Sequence, residues 1–71
     1  MTQLETIFNK ANAPIVMNEY MGYTLYTKEV SLDHYITFGL HINGNKVLCE
    51  SKPNQRKTSV EKAQALISKT I

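Results

Sequence analysis

Over residues 35–42 the side chains alternate: Ile36, Phe38, Leu40 and Ile42 fall on one side, Tyr35, Thr37, Gly39 and His41 on the other. A period of two puts successive side chains on opposite faces of an extended chain, so this stretch predicts a β-strand with one face against a core. Asn43-Gly44 comes next, two residues that tolerate positive φ and suit a tight type I′ turn. Residues 46–50 predict the returning strand, with Val47 and Cys49 on one face and Leu48 on the other, ending near Ser51. A lone hairpin is marginal in water, so the rest of the chain has to supply more sheet and something to pack against it.

Upstream, Thr2-Gln3-Leu4-Glu5 has the spacing of a capping box, and Leu4, Ile7, Phe8 and Ala11 follow at helical spacing until Asn12-Ala13-Pro14 stops the run. This predicts a short helix that tertiary packing must hold, because about ten residues are not a stable helix alone. Residues 14–21 show no single period. Ile15, Val16 and Met17 fit a strand or a packed loop, Met17-Asn18-Glu19-Tyr20 fits a helical turn, and Gly22 permits a bend or bulge. From Tyr23 the alternation of Tyr23, Leu25 and Thr27 with Thr24, Tyr26 and Lys28 predicts a first strand over residues 20–29, joined by a connection at 30–34 to the central hairpin.

Downstream, Lys52-Pro53-Asn54 breaks the sheet and a second helix follows. Asn54 and Thr58 are both suitable N-caps, Thr58 with Glu61 completing a second capping box. Val60, Ala63, Ile67 and Ile71 form its apolar stripe, with Leu66 beside it. The expected architecture is one α+β domain over residues 1–71, in the order α-β-β-β-α: a three-stranded antiparallel sheet with both helices packed on one face.

Composition narrows the function classes. A chain of 71 residues is near the lower limit for a self-sufficient core and leaves little room for an enclosed active site. Its hydrophobic fraction of 42% fits a folded domain, and no apolar run approaches the roughly 20 residues needed to span a bilayer, so no membrane partner is expected. Met1-Thr2-Gln3-Leu4-Glu5 lacks the basic start and apolar run of a signal peptide, and Cys49 is the sole cysteine, both pointing to an intracellular, cytoplasmic setting. The net charge of +2 is unevenly divided. Residues 1–51 carry −2, whereas the remainder, with Lys52, Arg56, Lys57, Lys62 and Lys69 against Glu61, carries +4. That balance points the C-terminal part toward an anionic partner.

The helix, strand meander and basic helix start resemble the double-stranded-RNA-binding domain family over most of the chain. Tyr23 looks like the family's first-strand aromatic, His34 in Ser31-Leu32-Asp33-His34 like its loop histidine, Phe38 like its second-strand phenylalanine, and Arg56-Lys57-Thr58-Ser59-Val60 like its basic motif. Ser31 and Leu32 stand where the family has Gly and Pro, and Val60 where it has a third lysine. The resemblance implies shape recognition of duplex RNA, with Arg56, Lys57 and nearby Lys52 at phosphates, His34, Gln3 and Glu5 at 2′-hydroxyls of the flanking minor grooves, and Gln55 also among the RNA-binding residues.

Each of these residues has a structural role available as well. Glu5 completes a capping box, Gln3 is solvated, His34 is a loop hydrogen-bonder, and Arg56 and Lys57 are a solvated helix end. The alternative function is a protein-interaction module on the same fold, a dimeriser, adaptor or inhibitor, with Leu32 and Leu48 as exposed apolar contacts. The tyrosines Tyr20, Tyr23 and Tyr26 suit core packing better than base stacking. His34, His41, Asp33 and Cys49 match no nucleophile or metal spacing, so neither catalysis nor a cofactor is expected.

Overall fold

A computed structural model describes residues 3–51 and 58–70. Its elements are α1 (Gln3–Lys10), β1 (Val16–Tyr20), β2 (Tyr23–Ser31), β3 (His34–His41), β4 (Lys46–Ser51) and α2 (Thr58–Thr70). The α+β class is as expected. The sheet, however, has four antiparallel strands rather than three, in the order β1-β2-β3-β4.

The additional strand comes from the segment without a clear period. The strand expected over residues 20–29 is β2, which begins at Tyr23, whereas Tyr20 ends β1, and these two residues pair across the hairpin. Met21 and Gly22 join them with φ of +50° and +85°, the combination that makes a type I′ turn.

That turn type does not form at Asn43-Gly44, where only Gly44 takes positive φ, +95°. The Gly44 N–H donates to the His41 carbonyl at 2.9 Å, and the His41 N–H donates to the Asn45 carbonyl at 2.8 Å. These bonds define a three-residue loop, a type I turn closed by a left-handed glycine. The Asn43 side-chain oxygen accepts from the Asn45 N–H at 3.1 Å, a local bond that favours this geometry. Ile42 therefore leaves the apolar row of β3 and is 95% exposed. The connection expected over residues 30–34 shortens to Leu32-Asp33, because β2 continues past an irregularity between Glu29 and Ser31, and Glu29 Oε2 accepts from the Asp33 N–H at 3.2 Å.

The helices lie on opposite faces, not on one. Tyr23 and Leu25 of β2, Cys49 of β4, and Ala63 and Ile67 of α2 form one buried cluster. On the same face Thr27 Oγ1 and Thr37 Oγ1 are 2.9 Å apart, and Thr37 Oγ1 donates to Ser59 Oγ of α2 at 2.8 Å. The neighbouring positions point the other way, and there Phe8 of α1 meets Phe38 at a ring separation of 6.3 Å. Strand alternation enforces this division, since Thr37 and Phe38 are consecutive.

Lys28 fastens the short helix. Its ammonium donates to the carbonyls of Phe8 at 2.8 Å and Ala11 at 3.2 Å, and sits 4.6 Å from the centroid of the Phe8 ring. A cation at the helix C-terminus satisfies carbonyls that lack intrahelical partners and opposes the helix dipole. The apolar stripe of α1 is used unevenly: Phe8 is buried, Leu4 half-buried and Ile7 at the edge of exposure.

Two consequences are measurable. Gly44→Val forces a β-branched residue into left-handed φ, which costs about 1–3 kcal/mol and should lower Tm by roughly 5–20 °C; an unchanged melting curve would contradict the loop. Lys28→Met keeps the aliphatic stem but removes the charged donor, worth about 1.5–3 kcal/mol. Chemical denaturation should register that loss, and amide exchange in α1 should accelerate more than in α2.

Candidate interaction surface

The two edges of the sheet differ in how they are closed. β1 lies on one edge and β4 on the other. In a two-residue hairpin the closing pair, here Tyr20 and Tyr23, is hydrogen-bonded, and bonding then alternates along the ladder. Asn18 and Val16 therefore also bond to β2, while Met17 and Glu19 direct their N–H and C=O groups outward. Val16 is 60% and Met17 62% exposed, and because they are consecutive both faces of the strand are open. Ile15 and Met21 continue this apolar border at either end. Neither lysine nor proline interrupts β1, although these are usual devices that discourage edge-to-edge pairing. Tyr20 gives the edge its position: its hydroxyl lies 2.8 Å from Ser68 Oγ of α2.

The β4 edge is guarded. By the same alternation, counted from the His41 and Asn45 bond, Lys46, Leu48 and Glu50 direct their backbone groups outward. Lys62 of α2 reaches over and donates to the Glu50 carbonyl at 3.2 Å, and Lys46 is itself a lysine on the edge, 6.0 Å from the Phe38 ring centroid. Beside this edge an open cleft is lined by Leu4, Leu48, Glu50, Lys62 and Leu66.

The residues expected at RNA are distributed as follows. Gln3 is exposed on α1, and Glu5 is half-buried beside the hollow formed by Phe8, Asn9, Tyr26 and Phe38. His34 opens β3, and its Nε2 lies 2.9 Å from Glu50 Oε2, a pair that ties β3 to β4 at partly exposed positions. Glu50 pairs with Ile36, so this contact is on the α1 face. Lys52, Gln55, Arg56 and Lys57 lie outside the described residues, as does Asn54. The sheet thus stands between α1, with Gln3 and Glu5, and the helix that the basic segment leads into. Of the apolar contacts expected for a partner, Leu32 is 86% exposed at the β2-β3 turn, whereas Leu48 is half-buried against the cleft.

The surface at β1 was not anticipated, and its composition explains why. A strand open on both faces has no reason to segregate apolar from polar side chains, so Val16-Met17-Asn18-Glu19-Tyr20 carries no period of two. Met21-Gly22, flanked by tyrosines, was the available signal.

Among the described residues, no three His, Cys, Asp or Glu side chains gather where they would hold a metal ion, and no helix is long and apolar enough to cross a membrane. No family model, curated protein or solved structure matches the chain.

Cys49 is buried beneath α2, and burial pushes its thiol pKa up, opposed in part by the Lys62 ammonium. A raised folded-state pKa means that the unfolded chain gives up this proton first. Stability should therefore fall as pH climbs past the ordinary thiol value of about 8.5. Alkylation with iodoacetamide at that pH should be slow in the native protein and fast in denaturant; equal rates would contradict the burial.

Proposed function

We propose that this chain is a non-catalytic protein-interaction module whose working surface is the β1 edge, where a partner adds a strand to the sheet. The observation that carries this reading is the contrast between the edges: β4 carries Lys46 and has its outward Glu50 carbonyl bonded by Lys62, and β1 has no lysine. An extended segment docked on β1 would bond through its backbone to Met17 and Glu19. It would gain affinity from the ladder and selectivity from side chains packed beside Val16 on one face and Met17 on the other. Leu32 lies at the opposite end of β2 from the β1-β2 turn and plays no part in this docking.

A second reading, duplex-RNA binding, is supported by the charge of the C-terminal part, with Lys52, Arg56 and Lys57 gathered just ahead of α2. Cations at a helix N-terminus strengthen a field that already favours anions.

One set of variants separates the two. The Met17 N–H points outward, so Met17→Pro removes a docking donor without breaking the β1-β2 ladder. Extended peptides selected from a displayed library on the wild-type protein should lose most of their affinity for Met17→Pro and keep it for the Arg56→Ala, Lys57→Ala double variant. If RNA is the ligand instead, the wild-type protein will prefer a duplex RNA of about 16 base pairs to the same DNA. The double variant will then lower the salt slope by about one to two counterions. Failure to select any peptide that depends on Met17 would overturn the edge-strand reading.

A further inference from the structure

We infer that the segment that docks on β1 is β1 of a second copy, so that two chains join their sheets through a two-fold axis at Asn18. This inference rests on the edge-strand reading above and names its partner.

The strand is complementary to itself in one register. A two-fold axis through Asn18 sets Met17 of each chain opposite Glu19 of the other, the two residues whose N–H and C=O groups point outward. Each such pair exchanges both backbone bonds, and all of them fall within residues that are already extended. An axis through Glu19 would set two carboxylates directly opposite one another, which is unfavourable. An axis through Met17 would need Ile15, outside β1 and next to Pro14, to continue the ladder. With the axis at Asn18, Glu19 faces a methionine, and Val16 comes beside Tyr20 of the second copy, whose ring is already positioned by Ser68.

Exposure is consistent with an occupant of this kind. Val16 and Met17 are open on opposite faces, and a flat partner that continues the sheet covers both, whereas a helix laid on one face would leave the other bare. The joined sheet would have eight strands, with β4, which carries Lys46 and the Lys62 contact, as the edge at both ends.

The register fixes a cross-linking test. Asn18 faces its own copy in a non-hydrogen-bonded pair, where the Cα atoms approach to about 4.5 Å, inside the range a disulfide bridges. Asn18→Cys should give a covalent dimer under mild oxidation. Val16→Cys, opposite Tyr20 of the second copy and far from its own counterpart, should not. Sedimentation of the full chain from about 10 µM to 1 mM, a range suited to a small interface, should show reversible dimers, and Met17→Pro should weaken them by at least about tenfold.

A wild-type chain that stays monomeric throughout, with no cross-link from Asn18→Cys, would overturn the inference. If peptides still bind through Met17 in that case, the edge-strand reading survives and the partner is a different protein. Dimers that persist in Met17→Pro, or cross-linking as efficient at Val16 as at Asn18, would place the contact elsewhere and overturn it equally. Should Met17→Pro fail to fold, the contrast between the two cysteine variants decides the matter.

Discussion

Each face of the sheet is covered by a single helix, and the lengths of the helices decide what remains open. At 1.5 Å per residue, α1 with 8 residues and α2 with 13 span only about 12 Å and 20 Å. Four strands at about 4.8 Å spacing make a sheet roughly 19 Å across, on two faces. α2 covers its face from Ser59 above Thr37 to Ser68 beside Tyr20. α1 covers the other from Leu4 near Leu48 to Phe8 near Phe38 and Lys28. β1 is left with its first four residues exposed, and the proposed interface occupies that uncovered border.

Dividing the helices between two faces requires a polar anchor for each, because neither face alone buries a large core. On the α2 face the hydroxyls of Thr27, Thr37 and Ser59 form a buried chain that joins β2, β3 and α2, alongside Leu25, Ala63 and Ile67. Satisfied hydroxyls of this kind specify one helix position, since sliding α2 would break the Thr37–Ser59 bond and leave the buried Ser59 hydroxyl without that partner. On the α1 face Lys28 does the equivalent work by holding the end of α1 through two carbonyls.

The sequence was most legible where each face of a strand meets a helix of its own. β3 and β4 are located with their faces correctly sorted except at Ile42, which lies past the end of β3, because Leu48 and Cys49 answer to different helices. β1 was hidden by its exposure on both faces, and the type I′ turn was placed at Asn43-Gly44 although Met21-Gly22 forms it, because a methionine gives little sign of positive φ. The position of α1 was also beyond reach: Phe8 and Ile36 pattern in the same way whichever face a helix covers, and the Lys28 contacts that decide the matter join residues 20 positions apart. For the RNA reading, the loop histidine was found at β3, but its bond to Glu50 depends on a strand register that no motif encodes. The resemblance to an RNA-binding domain implied one helical face, and the sheet instead separates α1 from α2.

Residue-resolved amide exchange across a concentration series tests the pairing of the β1 edge with a second copy most directly. The Asn18 and Tyr20 amides bond to β2 and should be protected at every concentration, whereas those of Met17 and Glu19 point outward and should exchange rapidly in dilute solution. Protection at Met17 and Glu19 that rises with concentration, and at no outward amide of β4, is the result this account predicts. Exchange at those two amides that is independent of concentration, or protection that appears along β4 instead, would contradict it.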